Sequence, residues 1–273
     1  MGTVTVITPP RRLAIPRWNE IWGAREVLYR FAHRDVLLRY RQTVLGVLWV
    51  VLQPLASAGI FSIVFGSVAK LQSDGLPYFL FSFMGMLAWN LFSGVVTRSA
   101  PSILGSQGLI SKVFFPRVIV PLSTAAAVLI DFGVAIVLGV ILLFAYGVSP
   151  GWGVLLLPVW VVLLMMFGAG LGLVLAALTV RFRDVSYIVP WLFQVLLYAS
   201  PVAYPISSVP HNLRGFFEAN PITWALGAFR FSLLDQPAPP AWQLIAFPVL
   251  AVVVFVGGLI FFESWEREFA DVI

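Results

Sequence analysis

The sequence predicts an all-α integral membrane protein. It has six transmembrane helices, an amphipathic interface helix ahead of them and a re-entrant helical hairpin before the last span. Three observations carry this. Of the 273 residues, 60% are hydrophobic and only 11% charged, where a soluble domain has about 25% charged residues. The apolar residues come in blocks of about twenty, the length that crosses a hydrocarbon core. The basic residues, finally, collect on alternate connections between those blocks, as the positive-inside rule requires.

Taken in order, residues 1–43 form a basic N-terminal segment without the apolar core of a signal peptide, so the N-terminus is expected on the insertion side. Within it, residues 19–34 read as an amphipathic helix capped by Asn19. Trp22, Val27, Leu28 and Phe31 fall on one face, with Glu26, Arg30, His33 and Arg34 opposite. Such a helix beside a span belongs in the membrane interface.

The spans follow at 44–69, 77–96, 118–146, 154–180, 186–203 and 242–262, together a transmembrane domain over 44–262 with a tail at 263–273. An even number of crossings puts both termini on one side. With that side cytoplasmic, 14 of the 17 Lys and Arg are inside, and only Lys70, Arg214 and Arg230 are outside. The net charge of +5 is thus a topology signal, and no nucleic-acid partner is needed to explain it.

Two connections are more than links. The inner loop 97–117 is long, and its apolar residues Ile103, Leu104, Leu109, Ile110, Val113, Phe114 and Phe115 need a surface to cover them. A short helix docking into a cytoplasmic partner and packing at headgroup level both satisfy that need. The outer stretch 201–241 carries seven prolines around a thirteen-residue apolar segment, 222–234. That segment is too short to span, and such segments sit at depth only where protein or a water path covers them.

Asp131 stands alone near the middle of the third span. An intramembrane acid marks a functional site by default. No second acid or embedded His completes a proton relay, so a structural bond to Ser or Thr on a neighbouring helix is the favoured reading. The fourth span carries Gly168, Gly172 and Ala176 at four-residue spacing, a face for close helix approach.

No G-x-x-x-x-G-K-[ST] phosphate loop, G-x-S-x-G elbow or H-E-x-x-H metal motif occurs. There is no Cys, and the two His are far apart in sequence, so no metal site is expected. The chain is expected to be non-catalytic, to hold no cofactor of its own, and to draw energy from an ion gradient or a separate ATPase.

Several stretches together resemble the ABC-2 type permeases that export lipid-linked glycans such as O-antigen, capsule and teichoic acid. They are RDVLLRYRQTVLGVLWVVLQP (34–54), LISKVFFPR (109–117), SPVAYPISSVP…NPITWALGAFR (200–230) and the tail EREFADVI. The resemblance implies a half-transporter: two copies of this chain form a channel in the bacterial cytoplasmic (inner) membrane. Two copies of an ABC ATPase subunit then bind ATP and magnesium and drive export of a polyprenyl-diphosphate-linked polysaccharide. It also implies that the 97–117 loop couples to the ATPase, through Leu109, Ile110, Lys112, Phe114 and Phe115. The substrate head group would arrive at the turn holding Leu45 and Gly46.

The residues fit that implication. Arg34, Arg39 and Arg41 offer forked donors to diphosphate oxygens, Tyr40 stands among them, and Gly46 lets backbone approach a ligand. Trp49, Gln53, Trp89, Trp191, Tyr198 and Tyr204 are candidates to line a glycan path, aromatics offering flat apolar faces with a polar tip. With 40 aromatics in the chain, most serve as lipid-facing or interfacial filling. Two other readings stay open: an ABC-2 permease for another lipid or drug-like substrate, and an ion-coupled transporter using Asp131.

Overall fold

A computed structural model describes residues 22–40, 47–110, 113, 115–266 and 269. Helix α1 (Arg25–Tyr40) precedes α2 (Val47–Phe61), which continues as a π-helical segment over Ser62–Val68. Then come α3 (Tyr78–Ser99), two single-turn helices (Ser102–Gly105 and Gln107–Ile110) and α4 (Ile119–Ala145). A 3-10 turn at Trp152–Leu156 leads into α5 (Leu157–Arg181), followed by α6 (Val185–Tyr198), α7 (His211–Ala219), α8 (Pro221–Leu234) and α9 (Ala241–Trp265). No strand occurs among the described residues. In hydrocarbon every peptide group must bond within its own segment, and helices do that.

Five helices are long and apolar enough to cross a membrane: Leu48–Val68, Tyr78–Ser99, Ile119–Ala145, Trp152–Arg181 and Ala241–Trp265. They match the expected spans to within a few residues. The expectation at 186–203 needs correction, because that helix stops at Tyr198 after 14 residues. At 1.5 Å per residue it reaches roughly 21 Å, short of the ~30 Å core. Pro201 explains the stop, since a residue before proline is pushed out of helical backbone.

Helix α3 is the centre, with 15 of its 22 residues buried, packed against α2, α4, α5 and α8. It is also the least hydropathic span at 1.7, whereas α4 and α9, far less buried, stand at 2.8. That inversion is what lipid demands: the helices facing hydrocarbon are the most apolar. Helix α2 breaks the pattern, being only 22% buried yet at 1.9.

Direction follows from the contacts. Helices α3 and α4 are antiparallel: Gly94 faces Val128, Gly139 faces Leu87, and the Ser99 hydroxyl donates to the Pro121 carbonyl at 3.0 Å. Helices α3 and α5 are parallel, as Gly168 meets Phe92 and Val95 while Gly172 meets Ser99. Helices α5 and α9 make the most extensive pairing and are parallel too, with Leu173, Ala176 and Val180 against Leu259 and Phe262. The small-residue face expected on the fourth span therefore packs on α3. A closer approach lies on its other side, where a Cβ on Gly258 would sit 2.3 Å from the Gly170 carbonyl oxygen. Helix α4 ends in a Schellman turn, with Gly147 at φ +68° and Val148 N–H bonded to Leu143 at 3.0 Å.

A second apolar cluster joins Phe31 of α1 to Ile103, Phe115, Val118 and the ends of α5 and α9. Replacing Gly258 by Val is expected to cost about 1–3 kcal/mol by overpacking against Gly170. Gly257→Val, where no atom lies within 4 Å of the added carbon, is expected to be nearly neutral. Thermal unfolding midpoints of the two variants in detergent check this.

Candidate functional site

Asp131 lies in α4, with a side chain 15% exposed, and three groups converge on it. Its Oδ2 accepts from Nη2 of Arg39 at 2.9 Å and from Nη2 of Arg98 at 2.8 Å. Its Oδ1 accepts from the Tyr40 hydroxyl at 2.5 Å. The carboxylate thus ties the last turn of α1 and the last turn of α3 to the middle of α4. At 1.5 Å per residue it stands roughly 18 Å along a helix of roughly 40 Å. Burial, reinforced by the bond to Asp131, pushes the Tyr40 hydroxyl up to about 12, so it stays a donor at neutral pH.

The stitching role expected of Asp131 is what the geometry shows, but Ser and Thr are not its partners. Two arginines and a tyrosine are, Arg98 being one of the 14 cations that the charge count puts inside. Sequence separations of 91 and 33 residues hid the pairing. Arg39 is likewise already engaged, rather than standing free for a head group.

Beside the cluster, between α2, α3 and α4, is a cavity of about 240 Å³. Its polar wall is a stripe along one face of α3: Asn90, Ser93 and Thr97, at the three- and four-residue spacing that stacks side chains on one helix face, with Arg98 next to Thr97. Gln53 and Pro54 of α2 close it opposite Asp131. Pro54 has no N–H for the Val50 carbonyl one turn before it, and Val50 lines the same cavity. Of the expected path-lining residues, Gln53 is therefore the one that meets the charge cluster.

The other expected site residues are distributed. Arg34 bonds Asp35 at 2.9 Å and lies 4.7 Å over the Phe31 ring. Trp49, Trp191 and Tyr198 are 56%, 64% and 54% exposed on the chain's surface. Tyr204 donates to the Tyr198 carbonyl at 2.5 Å and packs on Phe65 and Phe217. Trp89, another expected path residue, is buried within the chain against Phe92 and Phe193. In the 97–117 connection, Ile103 and Phe115 are buried within the chain, while Leu109 and Val113 are exposed and Ile110 is half-buried. Arg41, Leu45, Gly46, Lys112 and Phe114 lie outside the described residues.

At the far end the proline-rich stretch is held by a residue the sequence reading passed over. Arg230 of α8 is buried, donates from Nη2 to the Pro201 and Val202 carbonyls at 2.8 and 2.9 Å, and lies 3.9 Å over the Phe81 ring. Asn220 caps α8 by accepting from Ile222 N–H at 3.0 Å and donates to the Ser200 hydroxyl at 2.9 Å. A cation flanked by Phe229 and Phe231 was the signal available, since a charge in an apolar segment needs a built partner.

Asp131→Asn should destabilise the chain by about 1–3 kcal/mol, below the range for a fully buried pair because these side chains are partly exposed. Adding Arg98→Gln to it should recover part of that loss by removing the cation left unmatched. A double-mutant cycle on unfolding midpoints measures the coupling.

Comparison with known proteins places this geometry in a family. The family model for ABC-2 type transporters matches residues 26–234, which run from α1 through α8 and contain the charge cluster, the cavity and Arg230. The O-antigen export system permease protein RfbA of Myxococcus xanthus is 32% identical over 93% of this chain and 98% of its own. An RfbA of Klebsiella pneumoniae is 26% identical over 91% and 95%. The polysialic acid transport protein KpsM of Escherichia coli is 24% identical over 86% and 91%. The chain belongs to the ABC-2 type transporter family.

Proposed function

We propose that the chain is the permease subunit of an ATP-driven exporter that moves a lipid-linked polysaccharide across the bacterial cytoplasmic membrane. The observation that carries this is end-to-end similarity to an O-antigen export permease, 32% identity with 98% of that relative covered. Two copies of the chain pair to form the path, and two copies of a separate ABC ATPase subunit supply the energy. Both termini face the cytoplasm.

Helix α2 supports the pairing. Its exposed face carries Leu48, Trp49 and Leu52 beside Gln53, and it is too polar for a helix so little buried to face lipid alone. The exposed apolar residues Leu109 and Val113 give the 97–117 connection a surface for the ATPase. A diphosphate arriving near Arg41, Leu45 and Gly46 would meet Arg34 and Arg39 already bound to Asp35 and Asp131, and would compete for their remaining donors. The ion-coupled alternative loses ground to the same cluster, because Asp131 is held by two cations rather than exposed to a proton path.

Co-expression with its ATPase should yield a complex of two chains of each kind, whose ATP hydrolysis rises when lipid-linked glycan is added. Export by the chain alone, without ATP, would defeat the proposal. Because the chain has no Cys, sidedness can be read on single-cysteine variants. A maleimide should reach Gln107→Cys only from the cytoplasmic side and Ser207→Cys only from outside, both positions being exposed.

A further inference from the structure

We propose that the cavity between α2, α3 and α4 is a binding site for the phosphate of a lipid, with Arg98 as its principal ligand. Building on the export function proposed above, its physiological occupant is the diphosphate of the polyprenyl carrier.

The charge balance is the first argument. Arg39 and Arg98 face one carboxylate, so the three side chains sum to one positive charge, and no acid other than Asp131 lines the cavity. A partly buried excess cation beside the last turn of a membrane helix is costly unless water or an anion meets it. A metal cation is excluded by the same sign.

Donor capacity is the second. A guanidinium has five N–H groups. Arg98 commits one to Asp131 at 2.8 Å and the remainder have no partner among the described residues. The side-chain amides of Gln53 and Asn90, on opposite walls, also bond to nothing among them. Together they are unused donors around one cavity, and Asp131 is the internal anion that holds Arg98 in place.

The third argument is shape and setting. A volume of about 240 Å³ far exceeds the roughly 10–15 Å³ that one water needs. Away from the polar stripe of α3 the lining is apolar, with Leu87, Leu91 and Val128, so a phosphate on a hydrocarbon tail suits the cavity better than a free sugar. Val50, which lines it, is one turn from the start of α2 at Val47.

The test uses the purified full-length chain in detergent and native mass spectrometry, with undecaprenyl diphosphate, phosphatidylglycerol and phosphate-free undecaprenol as the added lipids. Wild type should retain undecaprenyl diphosphate at least about tenfold more tightly than undecaprenol, and inorganic pyrophosphate should compete. Arg98→Gln should lower that retention by about tenfold, since a charge-assisted bond is lost. Asn90→Leu and Gln53→Leu, which leave the Asp131 pairs intact and suit a membrane helix, should each lower it several-fold. Equal retention of phosphate-bearing and phosphate-free lipid, or wild-type retention by Arg98→Gln and Asn90→Leu together, overturns the site. If phosphatidylglycerol is retained more tightly than undecaprenyl diphosphate, with the same loss in the variants, the site stands and the polyprenyl substrate is what fails.

Discussion

Lipid tails are as apolar as leucine, so burying a leucine between membrane helices gains little over leaving it in the bilayer. What holds these helices in register is therefore close backbone approach and polar contact. Both meet at α3. Glycines at 94, 139, 168 and 172 bring α4 and α5 against it, and Ser99 bonds across to Pro121 and Thr124. Asp131 then fastens α1 to the same unit through Arg39 and Tyr40. The N-terminal helix is thus not simply resting on the membrane: its last turn is bound to the centre of the bundle, and a pull on one is felt by the other.

The far end has its own fastening of the same kind. The chain between α6 and α7 cannot continue as an α-helix through its prolines, which leaves carbonyls at 201 and 202 without helical donors. Arg230 meets them, Asn220 joins the end of α6 to the start of α8, and the Tyr78 hydroxyl bonds the Ala203 carbonyl at 2.7 Å. Irregular backbone at this level is tolerated because protein covers it. The two charged fastenings, one at each end of α3, leave a bundle whose middle is held chiefly by packing.

The spans were legible because length and hydropathy are local properties, and blocks of about twenty apolar residues have few other uses. The tight face at Gly168 and Gly172 was legible for the same reason. The Asp131 cluster was not: its members stand on three helices, and nothing in the spacing of Arg39, Arg98 and Asp131 brings them together. The overrun at 186–203 came from reading hydropathy past Tyr198, although Pro201 marked the stop. An aromatic in a span looks the same in sequence facing a path or a core, and the packing of Trp89 on Phe92 and Phe193 is visible only in the fold. Glycine spacing likewise missed Gly170 with Gly258, since they belong to different helices.

The parallel run of α5 and α9 sets the field at the end they share. Each helix carries roughly half a negative charge at its C-terminus, and the ends at Arg181 and Trp265 lie together, while α3 ends at Ser99, level with Gly172. Arg98 and Arg181 occupy the last turns of α3 and α5, and Arg181 also lies 5.2 Å over the Trp265 ring. Part of the positive charge there is thus neutralised by aligned peptide dipoles. An anion approaching the paired ends of α5 and α9 therefore meets a weaker attraction than a count of arginines implies.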